Sequence, residues 1–300
     1  MYIMPIVSIC IPTKDRLELL KRAVNSIVND GVPKEQYEIV IADNSDNDDI
    51  KYFCDQLLAQ GYNINHVKNP LRGFYNSIVA LKNGRGALLK LHNDYCSFLP
   101  GQFSKMVKVA ENKITDKPTI FFSNGTLNLN NIVFNSKNDF ISATHFQNTW
   151  SSAFSIWKTD FEKTAHSPQD VNAMFPHTSL LLAVDKNKYL ISNEVFFENN
   201  AVAGKGGYNL FDCFCNNYLG MLQEQHQQGV ITNKTFIKVK WTMFLHFVIP
   251  WYYKTVFTDQ GYTYITDDAD EIIKDKYGHA GLGITKIICW VKLKLSKANK

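Results

Sequence analysis

The sequence predicts an α/β fold in which a mostly parallel sheet is flanked by helices and followed by a mainly helical C-terminal extension. Three observations carry that expectation. Through the first hundred residues, short β-branched runs alternate with segments of helical periodicity, which implies right-handed crossovers and a two-sided parallel sheet. After Thr119, "TIFFSNGTLNLNNIVFNS" reads as strands joined by Asn/Gly turns. From about Pro176 helical patterns dominate. No repeat or low-complexity linker interrupts the chain, so its segments are divided only softly, as 1–105, 106–205 and 206–300.

"PIVSICIP" (5–12) is the first strand. "DRLELLKRAVNSIVNDG" then sets Leu17, Leu20, Val24, Ile27 and Val28 on one helical face, with Asp15 as the expected N-cap and Gly31 as the stop. "YEIVIA" (37–42) is the second strand; Ile50, Phe53, Leu57 and Leu58 mark a second helix ending at Gly61. A strand near "INHV" (64–67), a helix from about Gly73 to Asn83 and the strand "ALLKL" (87–91) complete the series. In such sheets ligands bind beyond the carboxyl ends of the strands, near the reversal of strand order. The segments that follow strands are "PTKDR", "DNSDNDD", "NPLRG" and "HNDYC", and all four are polar.

Composition narrows the function classes. Three hundred residues that are 45% hydrophobic can bury a large core, which argues against global disorder. A net charge of +4, spread except near the C-terminus, is no nucleic-acid footprint. Six cysteines lie mostly in apolar periodic segments and no secretory signal precedes them, so a reduced cytoplasmic chain is expected. Cys213-Phe-Cys215 lacks the two further ligands zinc needs. The longest apolar run, "WTMFLHFVIPWYY" (241–253), is short of the roughly 18–20 residues of a membrane span and carries His246 and Pro250. Its aromatics suit a core, an acceptor groove or an interfacial patch, and most are expected in the core.

The chain contains no phosphate-cradling loop ending in Lys-Ser/Thr and no Gly-x-Gly-x-x-Gly after the first strand. "GKGGYN" (204–209) lies far downstream of the βα units. Nucleotidyl transfer would want a glycine-rich loop after strand one, whereas "PTKDR" has basic residues and no glycine. What remains is acids at successive strand ends. Asp43, after "EIVIA", suits either a hydrogen bond to a base or ribose or a helix cap in a solvated turn. Asp94, after "LLKL", suits either a divalent cation completed by water and a diphosphate or a turn leading into Pro100-Gly101.

In combination, "VSICIPTKDRLELLKRAVNSI", "YEIVIADNSDND" and "NPLRGFYNSIVALKNGRGALLKLHNDYCSFLPG" resemble the N-terminal half of family 2 glycosyltransferases, inverting nucleotide-sugar enzymes with a GT-A fold. The resemblance covers about residues 5–105 and fades afterwards. It implies that 1–105 is the nucleotide-sugar-binding half of a GT-A domain, 106–205 its acceptor-binding half, and 206–300 a helical, aromatic and basic extension. Pro12, Thr13 and Arg16 then fall in the loop lining the nucleotide pocket, and Asp43 takes the place of the acid that reads the base, with Ser45 where glycine often sits. "NPLRGFYNSI" matches the family's Asn-x-Gly-x-x-x-Ala-Arg-Asn segment through Asn69, Gly73 and Asn76, with the arginine moved to Arg72. Asn93 joins these donor-side residues. The family's Asp-x-Asp metal corner falls on "HND": Asp94 keeps the last acid and His92 replaces the first.

Neutral histidine serves Mn2+ better than Mg2+, so Mn2+ is expected to support activity at least as well. The implied mechanism is direct displacement at the anomeric carbon, with one base removing the acceptor proton. The family's Glu-Asp pair is missing from "SPQDVNAMFPHTSLLLAV", which leaves His177, Asp170 or an acid elsewhere as that base. The expected donor is a UDP-sugar first, then GDP or CDP. The expected acceptor is a glycan or lipid-linked oligosaccharide, as in bacterial O-antigen or capsule synthesis. A non-catalytic nucleotide- or glycan-binding relative is the alternative.

Finally, "GLGITKIICWVKLKLSKANK" (281–300) interleaves Lys286, Lys292, Lys294, Lys297 and Lys300 with apolar residues and contains no acid. Such a segment suits peripheral contact with an anionic membrane, at the inner face of the cell membrane, or a terminal helix packed on the domain.

Overall fold

The computed structural model describes residues 4–298 except 72, 203 and 205. The first half alternates as the periodicity requires: β1 (Val7–Thr13), α1 (Leu17–Val28), β2 (Tyr37–Asp43), α2 (Asp49–Ala59), β3 (Ile64–Lys68), α3 (Asn76–Lys82) and β4 (Leu88–Leu91). There follow β5 (Cys96–Phe98), α4 (Gln102–Asn112), β6 (Thr119–Phe122), β7 (Ile132–Phe134), α5 (Lys137–Thr144), β8 (Ser155–Trp157) and α6 (Lys158–Phe161). Then come α7 (Pro176–Ala183), β9 (Tyr189–Ser192) and β10 (Phe197–Asn199).

The chain divides into two compact units: residues 1–140 with 147–201, and residues 141–146 with 202–300. In the first unit the main sheet runs β3-β2-β1-β4-β8, with the first four strands parallel and β8 antiparallel to β4. All seven residues of β2 are buried, as expected for a parallel strand covered on both faces rather than one with a wet face. Helix α1 buries Leu20, Ala23, Val24 and Ile27, a stripe at helical spacing directed at this core. A second sheet, β6-β9-β7, and an antiparallel β5-β10 pair complete the unit.

The amino ends of the strands are tied by Glu38, which is fully buried. Ser8 Oγ donates to Glu38 Oε1 (2.5 Å), Arg85 Nε donates to Oε2 (2.8 Å), and the Gly86 amide donates to Ser8 Oγ (2.7 Å). A Cβ at Gly86 would lie 2.7 Å from the β1 backbone, so only glycine permits this approach.

Three local expectations need correction. Asp15 does not cap α1: Arg16 occupies the N-cap, Asp15 has φ +53°, and its amide donates to Ser45 Oγ (2.8 Å). A tertiary hydrogen bond takes the place of the local cap. The third helix starts at Asn76, because the chain before it is held by side-chain bonds, Asn44 to the Asn69 and Leu71 carbonyls and Asn69 to Asn76. Past Pro176 the chain is not uniformly helical, since β9 and β10 intervene; their sheets bury "YLIS" completely, and four residues are too few to register a period.

The second unit contains β11 (Gly206–Asn209), α8 (Leu219–Gln227), α9 (Asn233–Met243), α10 (Ile249–Tyr252), β12 (Thr263–Ile265) and α11 (Ala269–Ala298), which breaks at Gly278 (φ +75°). Of the aromatic run, Phe244, Tyr252 and Tyr253 are buried, whereas Trp241 is exposed. Phe244 packs on Tyr277 (4.4 Å between ring centroids) and Trp251 meets Tyr264 edge-on (5.4 Å). The run is therefore divided, with half of its six aromatics in the core and Phe247 and Trp251 only partly covered.

Within β4, Lys90 is fully buried with no carboxylate bonded to it; its ammonium donates to the carbonyls of Leu91 (2.6 Å) and Ser152. Burial pulls its pKa from 10.5 down to about 7, against smaller opposing effects of Cys96 and Cys10. The unfolded chain therefore binds this proton more tightly between about pH 7 and 10.5, and the stability of the fold rises with pH across that window. Relative to Lys90→Met, the native chain should gain about 1 kcal/mol per pH unit, up to roughly 1.4, above pH 7. Urea denaturation of both proteins at pH 7, 8 and 9 reads this directly, and a stability difference independent of pH would refute it.

Candidate functional site

The strand order reverses at β1. From β1 the chain moves outward through β2 and β3, then returns to place β4 on the other side of β1. The carboxyl ends of β1 and β4 therefore flank the crevice where such sheets take ligands. Pro12 and Thr13 end β1, paired with Ala42 and Asp43 of β2, while Cys10 pairs with Leu91 of β4.

Across this reversal Thr13 Oγ1 donates to Asp94 Oδ2 (2.8 Å), and Arg16 Nη1 lies 3.4 Å from Asp94 Oδ1. The Asp94 side chain is 2% exposed and that of Arg16 is 43% exposed. Burial raises the Asp94 pKa, and the Arg16 charge and the Thr13 hydrogen bond only partly offset it. Thr13 thus meets one carboxylate oxygen and Arg16 the other, and an ionised carboxylate has lone pairs for about four contacts.

Asp43, fully buried, sits one strand away. Its Oδ1 accepts from the Ser45 amide (2.8 Å); its Oδ2 lies 3.2 Å from His66 Nε2 and 3.5 Å from Lys68 Nζ. Burial works to raise the Asp43 pKa, yet the His66 and Ser45 hydrogen bonds and the Lys68 charge outweigh it and hold the carboxyl below its usual range. His66 and Lys68 were not singled out by sequence. The parallel register that pairs Ile41 with His66 and Asp43 with Lys68 brings them here.

Asn76, 4% exposed, is turned inward: its Nδ2 donates to Ala42 O (2.7 Å), and its Oδ1 accepts from Asn69 (3.0 Å). Asn44 Nδ2 in turn donates to Asn69 O (2.6 Å) and Leu71 O (2.9 Å). These asparagines brace the strand ends. Asn93 is similarly held, its amide donating to Ser152 Oγ (3.0 Å) and its Oδ1 accepting from Ser151 Oγ (2.7 Å). Arg72 lies outside the described residues.

The two histidines of the sequence reading are placed in the core. His92 is fully buried, stacked on Phe98 (4.6 Å) and edge-on to Phe197 (5.2 Å), with Nε2 donating to Cys96 O (2.9 Å). Its pKa is pulled down to about 3, by burial first and by Lys90 next. This packing commits Nε2 to a carbonyl and leaves Nδ1 buried without a hydrogen-bond partner, so His92 is enclosed by the core rather than open to the crevice. His177 is 6% exposed, with Nε2 bonded to Thr149 O (2.8 Å), and burial lowers its pKa to about 4. With Nε2–H given to that carbonyl, only Nδ1 could take a proton, and the burial that lowers the pKa disfavours it. Asp170 is exposed, accepting from the Ser167 amide (2.9 Å) and hydroxyl (2.6 Å), which lower its pKa.

Among the described residues no three His, Cys, Asp or Glu side chains are grouped to hold a metal ion. A divalent cation that keeps waters and takes a diphosphate needs only one or two protein oxygens. Asp94, with spare lone pairs at the reversal of strand order, fits that requirement by itself.

Residues 8–164 match the family described as "Glycosyl transferase family 2". Among solved structures, S. aureus TarS is similar, with a TM-score of 0.61 at 11% identity, covering 95% of this chain and 54% of that chain. S. aureus TarS 1–349 in complex with UDP-GlcNAc gives a TM-score of 0.64 at 11% identity, covering 90% and 80%. The mannosyltransferase PcManGT from Pyrobaculum calidifontis, in complex with GDP-Man and Mn2+, gives 0.53 at 13% identity, covering 83% and 72%. This chain thus spans about half the length of the TarS chain in that structure, and the likeness is one of GT-A fold. No curated protein matches the chain significantly.

Asp94→Asn should weaken Mn2+ binding at least about tenfold, whereas His92→Gln should lower thermal stability and leave Mn2+ affinity within about twofold. Calorimetric Mn2+ titration of both variants checks this; loss of affinity in the His92 variant would restore it as a ligand.

Proposed function

This chain belongs to glycosyl transferase family 2, and on that premise we propose that it moves a sugar from a nucleotide-sugar donor onto a glycan acceptor with inversion at the anomeric carbon. The observation that carries the reading is the Thr13–Asp94–Arg16 contact at the reversal of strand order, with Asp43 at the next strand end. A divalent cation, Mn2+ or Mg2+, held at Asp94 would neutralise charge building on the departing diphosphate. Thr13 fixes the orientation of the Asp94 carboxylate. Arg16, half exposed and joined to Asp94 by a long contact, is free to turn its remaining N–H groups to a diphosphate oxygen. Asp43 supplies acceptor oxygens for a base N–H or a ribose hydroxyl. Asp170, exposed and ionised at neutral pH, is the base we assign to the acceptor hydroxyl; His177 is too deeply packed for that role.

UDP-GlcNAc in TarS 1–349 and GDP-Man in PcManGT support a hexosyl donor, and we place a UDP-sugar first, then GDP or CDP. The acceptor proposed is a glycan or lipid-linked oligosaccharide of bacterial O-antigen or capsule synthesis. The enzyme would work in the cytoplasm, with peripheral contact at the inner face of the membrane through its lysine-rich C-terminal segment. No helix among the described residues is long and apolar enough to cross a membrane. A second reading, a non-catalytic nucleotide- or glycan-binding relative, is favoured by one observation: the position expected for the Glu-Asp pair holds the packed His177.

A thermal-shift screen with UDP-, GDP-, CDP- and dTDP-sugars and Mn2+ should give its largest shift with a UDP-sugar and lose it in Asp94→Ala; no shift with any donor counts against the donor site. In transfer assays Asp170→Asn should reduce turnover by about 10²-fold or more, while His177→Ala loses stability and keeps turnover within a few-fold. Wild-type turnover in both variants moves the base elsewhere. Donor binding without turnover across acceptors favours the second reading.

A further inference from the structure

Helix α11 after its break at Gly278 has three distinct faces. Gly281, Thr285 and Cys289, four residues apart, are fully or almost fully buried. Beside them Ile284, Ile287, Ile288, Val291 and Leu295 are 40–63% exposed. At 3.6 residues per turn these five occupy one arc of about 100°, the width of a core-facing stripe. Nothing in the described part of the second unit buries it. Lys292 and Lys294, both exposed, flank the arc, one on each side, with the Lys292 ammonium over the Tyr253 ring (4.5 Å) and the Lys294 ammonium over the Trp290 ring (5.5 Å). Lys286, on the opposite side, is paired with Asp270.

We propose that this stripe is a docking face for an anionic bilayer: the helix lies in the interfacial plane, the five apolar side chains enter the headgroup–acyl boundary, and the exposed Lys292 and Lys294 turn their ammonium groups from the Tyr253 and Trp290 rings to lipid phosphates. It deepens the membrane contact proposed above and rests on that reading, but assigns the anchoring to the apolar stripe rather than to the lysine count. Three features select the bilayer over other occupants. The helix is too polar to span a membrane, so its apolar face can enter lipid only from the surface. Lysine on both margins of an apolar stripe matches a plane of negative charge at the depth where the stripe ends. A second copy of the same helix would bring lysines to lysines, because residues 281–298 contain no acid to pair with them.

The test is vesicle co-sedimentation of the full chain with phosphatidylcholine vesicles and with phosphatidylcholine vesicles containing phosphatidylglycerol, for the wild type, Ile287→Ser/Val291→Ser and Lys292→Gln/Lys294→Gln. All four positions are exposed, so unchanged thermal melting shows that the variants fold. The wild type should bind the anionic vesicles at least tenfold more tightly than neutral ones. The serine pair should lose at least tenfold on anionic vesicles at both low and high salt, and the glutamine pair should lose its preference for anionic lipid. Anionic binding unchanged in the serine pair overturns the stripe while leaving a purely electrostatic membrane contact standing. No vesicle binding by the wild type overturns the membrane reading itself. A concentration-dependent dimer in sedimentation velocity that the serine pair dissolves would assign the stripe to a second copy and also overturn the proposal.

Discussion

The structure of the first unit turns on the need to pair one buried carboxylate. Asp94 is almost wholly removed from water, and burial alone would drive it toward the neutral acid. Thr13 and Arg16 are the groups that favour its charged form. Both arrive from the end of β1, which is possible only because β1 and β4 are parallel neighbours with Cys10 beside Leu91. The reversal of strand order thus does more than open a crevice: it brings a hydroxyl and a guanidinium from one strand end to the acid of another. The same contacts that fix this carboxylate at the reversal of strand order offset part of the effect of burial on it.

The remaining polar groups at these strand ends act as a frame. Asn44, Asn69 and Asn76 spend their amides on one another and on backbone carbonyls, joining the ends of β2 and β3 to the start of α3. Ser151 and Ser152 hold Asn93 from the other side. Ser152 also offers its carbonyl to the buried ammonium of Lys90, so a core lysine and the acid-bearing turn share one short segment. Asparagine and serine suit this work because each pairs donor and acceptor within one short side chain. The donor-side positions suggested by family resemblance therefore separate into two kinds. Asp94, Arg16 and Asp43 are charged groups at the strand ends, Asp43 wholly buried, while Asn76 and Asn93 hold the adjoining loops.

The second unit shows the same division between local pattern and context. The amphipathic spacing of residues 281–298 is enough to make a helix, yet that spacing is the same whether its apolar arc is covered or bare. The fold buries only the narrow Gly281–Thr285–Cys289 edge and leaves the broader apolar arc exposed between two lysines. The aromatic run before it went the other way, with Phe244, Tyr252 and Tyr253 taken into the core.

By itself the sequence determined the alternation of strands and helices through residue 91, the polar loops that end each strand, and the prominence of Asp43 and Asp94 among the acids. These are legible because burial on both faces demands unbroken apolar strands, helices demand a 3.6-residue period, and a parallel sheet gathers its strand ends on one side. Tertiary structure alone decided which neighbours those side chains meet. It sent the His92 ring into a stack with Phe98 and Phe197, closed His177 onto the Thr149 carbonyl, gave the Asp15 amide to Ser45, and set His66 and Lys68 beside Asp43. Each outcome depends on a contact with residues distant in sequence or on a neighbouring strand. Polar residues near a strand end look alike in one dimension, and only the packing around them decides whether an imidazole faces a ligand or fills the core.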